Sequence, residues 1–119
     1  MADIQRIDCG PRMSQAVCYG GLIHTAGQVA MQAADGDIKA QTQAVLDAID
    51  ALLAAAGTDK SKLLTAQIWL KSMSDFAAMN EVWDAWVADI EALPRTCVEA
   101  KLYDPRVLVE LTVVAVKPE

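Results

Sequence analysis

Residues 16–26 read Ala-Val-Cys-Tyr-Gly-Gly-Leu-Ile-His-Thr-Ala. Gly20-Gly21 separates two short apolar runs, 16–19 and 22–26. Two adjacent glycines accept positive φ at both turn positions, so this stretch predicts a β-hairpin. Upstream, residues 4–8 supply a third short run that can pair with the hairpin before the Gly10-Pro11 break. Gly27 ends the second hairpin strand, and the small and polar residues of 28–36 read as a loop.

Beyond the hairpin the period changes from two to between three and four. Ile38, Val45, Ile49, Leu52, Leu53 and Ala56 define one helix face, with Lys39, Gln43, Asp47 and Asp50 opposite. Asp37 is placed to cap this helix and Gly57 to stop it. Residues 63–70 are short and mostly apolar and predict a buried strand. Ser74 or Asp75 caps a second helix, whose apolar stripe runs from Phe76 through Met79, Trp83 and Trp86 to Ile90. Pro94 excludes its continuation. Residues 96–102 form the next strand, Tyr103-Asp104-Pro105 a turn, and the β-branched run 107–116 the last strand. The order β-β-β-α-β-α-β-β predicts an α+β fold, with two helices on one face of a mixed sheet of about six strands.

The chain has 119 residues, which supports a single domain over 1–119. Its 54% hydrophobic content lies above the usual value of about 45–50%, so some apolar surface is expected between subunits. A net charge of -6 disfavours nucleic-acid binding, which needs clustered Lys and Arg. No apolar run approaches the roughly 20 residues of a membrane-spanning helix. The start, Met-Ala-Asp-Ile-Gln-Arg, lacks a basic-then-apolar leader, and the three irregularly spaced cysteines fit a reducing, cytoplasmic setting.

Glu110 stands inside the apolar last strand, on the face it shares with Leu108 and Val114. Burying a carboxylate costs several kcal/mol unless it is paired or protonated. A partner such as Arg95 would keep it ionised; desolvation would raise its pKa toward an acid/base range. The alternative is a Glu near an edge or a subunit contact, hydrogen-bonded for structure only. Arg95 opens a strand and shares its parity with Cys97 and Glu99; an Arg there can grip a carboxylate bidentately, or simply be a surface Arg. Cys97 has no evident activating His, and His24, the only one, reads as a hydrogen-bonded structural residue in its strand. One His and scattered cysteines give no metal-ligand spacing. Trp69, Trp83 and Trp86 read as packing residues rather than a base-stacking platform.

Ser14-Gln15-Ala16-Val17, Ala26-Gly27-Gln28-Val29, residues 75–80 and Pro94-Arg95-Thr96-Cys97-Val98-Glu99 with Val109-Glu110 together resemble the RidA/YjgF family of imine deaminases. The resemblance implies a chorismate-mutase-like fold and a homotrimer, with clefts between neighbouring subunits. It further implies that Arg95 binds a substrate carboxylate, that the backbone at Cys97 contacts the imine nitrogen, and that Glu110 places or activates water. Asn80 belongs to the same pocket region. The implied substrates are small 2-imino acids or their enamine tautomers, hydrolysed to 2-keto acids and ammonia without metal or organic cofactor. Met13 stands where the family pattern often has Tyr, and Ala26 where it often has Ser, with Arg12 a further change. Imine hydrolysis with an altered substrate range is therefore the expectation. The alternatives are a non-catalytic trimer that holds a small carboxylate in the same clefts, and an endoribonuclease, which the acidic charge speaks against.

Overall fold

The computed structural model describes residues 3–118, so Met1 and Ala2, the first residues of the N-terminal reading, lie outside them. Six strands form one sheet: β1 (Gln5–Cys9), β2 (Ser14–Tyr19), β3 (Leu22–Thr25), β4 (Leu63–Leu70), β5 (Arg95–Glu99) and β6 (Val109–Val116). Helices α1 (Ile38–Ala55) and α2 (Phe76–Trp86) complete the α+β order expected from the sequence. Strands follow the spatial order β1-β2-β3-β6-β4-β5, antiparallel throughout except for the β4–β5 pair.

The local causes are those the residues suggest. Gly20 and Gly21 take φ of +63° and +82° in the two-residue turn joining β2 to β3. The Asp37 carboxylate accepts the Ala40 N–H at 2.9 Å and caps α1. Alternation along β4 and β6 turns Ala66, Ile68, Leu70, Val109, Leu111, Val113 and Ala115 toward the helices, all of them buried. Val45, Leu46, Ile49 and Leu53 of α1 and Met79 of α2 close this core from above. Among the described residues the other face of the sheet carries no helix.

Several boundaries differ from the sequence expectation; β1 to β3 shift by one or two residues, and the larger differences are in α2, β5 and β6. Helix α2 stops at Trp86, not Ile90. Lys60, distant in sequence, donates to the Trp86 carbonyl at 2.5 Å and lies over its ring, placing a cation at the helix C-terminus. Strand β5 spans 95–99 rather than 96–102, and β6 begins at Val109. Here Gln41, buried in α1, donates to the carbonyls of Gly36 and Arg106 and accepts the Leu108 N–H at 2.9 Å. One amide thus fastens α1 to the loop that precedes β6. Gln41→Leu would leave these backbone groups unsatisfied and is expected to cost about 2–3 kcal/mol in urea unfolding. A loss below about 0.5 kcal/mol, within the range of ordinary surface substitutions, would contradict that assignment.

Candidate active site

Glu110 leaves β6 on the helix-free face, opposite Trp69 of β4. Its carboxylate lies against Gly27, where a Cβ would collide with it. Any larger residue at this position would push the Glu110 side chain out of its present place. Glu110, Gly27, Met13, Gln15, Gln28 and Tyr103 line a cavity of about 380 Å³. Gln28 is fixed there by its backbone pairing with Leu111 and by a 2.9 Å side-chain hydrogen bond to Gln15. Among the described residues Glu110 has no ion pair. Desolvation alone acts on it and holds its pKa above the ordinary carboxylate value of 4.5.

Arg95 leaves β5 on the opposite, helix-bearing face. Its Nη2 donates to the Asn80 side-chain oxygen at 2.6 Å. Its guanidinium lies 5.3 Å from the Trp83 ring centroid and 5.7 Å from that of Phe76. A second guanidinium nitrogen, Nη1, is buried without a hydrogen-bond partner among the described residues. A cationic side chain oriented by three others, with one buried nitrogen left without an acceptor, can take an anionic acceptor there. Cys97 lies two residues along the same face. Burial pushes its thiol pKa upward despite the nearby Arg95 charge, so at neutral pH it is a poor nucleophile. Iodoacetamide at pH 7 is expected to label exposed Cys9 well ahead of Cys97, as read by peptide mass spectrometry; preferential labelling of Cys97 would reveal an activated thiolate.

A single chain does not bring Arg95 and Glu110 together. Arg95 is level with Ala66 of β4 and Glu110 with Trp69. Three residues along a strand and two strand spacings across each amount to about 10 Å, and the side chains point from opposite faces. The possibility that Arg95 keeps Glu110 ionised within the chain is therefore excluded by the register. Met13 shares the Glu110 cavity, Asn80 orients Arg95, and Ala26 precedes Gly27 with its N–H bonded to the Gln15 carbonyl.

Phe76, Trp83, Gln15, Gln28 and Tyr103, which neighbour these groups, are not among the site residues the sequence points to. Phe76, Asn80 and Trp83 recur at four- and three-residue steps along α2, a spacing that places them on one face with a polar residue at its centre. The aromatic members were absorbed into the apolar stripe. Gln15 and Gln28 stand inside the motifs that carry the family resemblance, without a role of their own there, and Tyr103 reads only as part of a turn. His24, expected to be hydrogen-bonded within its strand, is exposed and makes no side-chain hydrogen bond among the described residues. Thr25, by contrast, is buried and bonds to Thr112 and to the Val113 N–H. Trp83 and Trp86 are buried with their rings 5.4 Å apart, as packing residues. Among the described residues no helix is long and apolar enough to cross a membrane.

Residues 4–117 match the family model described as endoribonuclease L-PSP. A RutC family protein of Haemophilus ducreyi is 43% identical over 112 residues, covering 94% of this chain and 95% of that protein. The RutC family protein YoaB of Escherichia coli is 40% identical, covering 94% of this chain and 96% of its own. A solved member of the YjgF protein family from Neisseria meningitidis superposes with a TM-score of 0.92 at 44% identity, over 98% of this chain and 97% of that one.

Proposed function

The chain belongs to the RidA/YjgF family, the group that the endoribonuclease L-PSP model and the RutC relatives represent, and on that premise we propose that it is a hydrolytic deaminase of 2-imino acids. The observation that carries this reading is the buried, unpartnered Nη1 of Arg95. It supplies a strong donor for a substrate carboxylate, held in place by Asn80, Phe76 and Trp83 before substrate arrives.

The reaction asks little of the protein beyond placement. The imine carbon is already electrophilic. Glu110, ionised, takes a proton from water as the water oxygen bonds to C2 and the C=N electron pair moves to nitrogen. The nitrogen is protonated, the C–N bond breaks, and ammonia leaves as the oxygen loses its second proton and becomes the keto group. Water plus 2-imino acid thus gives 2-keto acid plus ammonia, with Glu110 returned to its starting state. Fixed backbone groups near Cys97 stabilise the changing charge at nitrogen.

Because one chain holds Arg95 and Glu110 on opposite faces, the reading requires that one comes from a neighbouring copy. The helix-free face offers the contact surface: Tyr19, Val98 and Val116 are exposed there at 58%, 41% and 36%. We infer a homotrimer, with the Arg95 of one subunit facing the Glu110 cavity of the next. Sedimentation equilibrium should return the mass of three chains.

The decisive assay generates imines in place with amino-acid oxidases and follows their loss by semicarbazide trapping. Acceleration by the protein is the expected result. No acceleration across small, aliphatic and aromatic imines would reject the deaminase. Saturable keto-acid binding without turnover would make the protein a carboxylate binder that uses the same Arg95.

A further inference from the structure

A second cavity, of about 530 Å³, adjoins the Glu110 cavity. Arg6, Arg12 and His24 line it, and no Asp or Glu does. In a chain with 16 acidic and 10 basic residues, such a one-signed lining stands against the overall balance. Two of the four arginines of this protein are matched: Arg106 pairs with Asp104, and Arg95 is held by Asn80 and two rings. Arg6 and Arg12 make no ion pair and no side-chain hydrogen bond among the described residues. The register explains how the groups converge. Arg6 pairs across β1–β2 with Val17, and Val17 across β2–β3 with His24, so a cation and an imidazole flank one apolar floor residue. Arg12 rises from the turn between β1 and β2.

The two cavities meet at Met13, which lines both, and at the Ala26-Gly27 step, where Ala26 borders one and Gly27 the other. A molecule whose reacting carbon sits at Glu110 would therefore extend past Met13 toward Arg12, Arg6 and His24.

We propose that this cavity receives a second anionic group on the substrate side chain, so that the protein favours 2-imino dicarboxylates over imines with small apolar side chains. This rests on the deaminase reading and names its substrate class. Arg12 supplies the principal contact, as a fork donor able to hold a carboxylate bidentately, with Arg6 and His24 closing the far wall. The negative charge of the protein elsewhere leaves this cavity as a local attractor for anions.

Two measurements test it. His24 is the only histidine, so its ring signals in a proton NMR spectrum are unambiguous. Succinate is expected to shift them saturably, and propionate at equal concentration to leave them in place. Equal response to both acids, response to neither, or an equal response to inorganic phosphate would overturn the proposal. The second compares kcat/KM for the imines of aspartate and alanine in wild type and Arg12→Leu. The ratio in favour of the dicarboxylate should fall about tenfold to a hundredfold in the variant. An unchanged ratio would overturn the proposal while leaving the deaminase intact. Hydrolysis of neither imine, with succinate still shifting His24, would instead overturn the deaminase and leave the dicarboxylate cavity standing.

Discussion

Coexpressed Arg95→Ala and Glu110→Gln chains are expected to recover roughly a quarter of wild-type activity, although each variant alone is nearly inactive. Arg95→Ala removes the group oriented for the carboxylate beside the imine carbon, and Asn80, Phe76 and Trp83 lose the cation they hold. Loss of a charge-assisted contact together with substrate orientation should lower kcat/KM by about 10²–10³-fold. In a randomly mixed trimer each site takes its guanidinium from one chain and its carboxylate from the next. A site is intact when the first chain carries Glu110→Gln and the second Arg95→Ala, one arrangement in about four. Sites assembled within one chain could never be intact in such mixtures. Recovery therefore reports the location of the site as well as the identity of its residues; a mixture as inactive as its components would refute the shared site.

Glu110→Gln carries the second large effect. Removing a positioned general base should lower kcat/KM by about 10²–10⁴-fold. The wild-type pH profile should rise on its acid side, because the base must be ionised, with a midpoint above 4.5 since desolvation raises this carboxyl. The residual activity of Glu110→Gln should lack that limb. Stability should move the other way. A carboxyl whose native pKa exceeds its unfolded value favours the folded state below the unfolded value, and that contribution is lost as pH rises through the native one. Glu110→Gln is thus expected to be at least as stable as wild type in urea at pH 7. A variant both less active and clearly less stable would mark Glu110 as a structural residue.

Much of the architecture was legible from residue pattern. The Gly20-Gly21 hairpin, the Asp37-capped helix and the alternation of 109–116 are set by local stereochemistry and by burial of one face, and the structure shows them where expected. The ends were less legible because distant groups meet them: Lys60 donates to the Trp86 carbonyl at the end of α2, and Gln41 holds the chain before β6. Arg95, Glu110, Asn80, Met13 and Ala26 could be singled out from their motifs. Which of them share a pocket could not, because strand register and sheet face are properties of pairing and leave no trace in a run of residues.

The chain's own residue order determined the α+β alternation, the hairpin and the presence of one guanidinium and one carboxyl in otherwise apolar strands. Tertiary structure alone decided that Asn80, Phe76 and Trp83 fix the first of these, that Gly27 admits the second, and that the two leave the sheet on opposite sides. The reason is physical: spacing along a strand sets the parity of a side chain, whereas its neighbours are set by pairings between segments far apart in sequence.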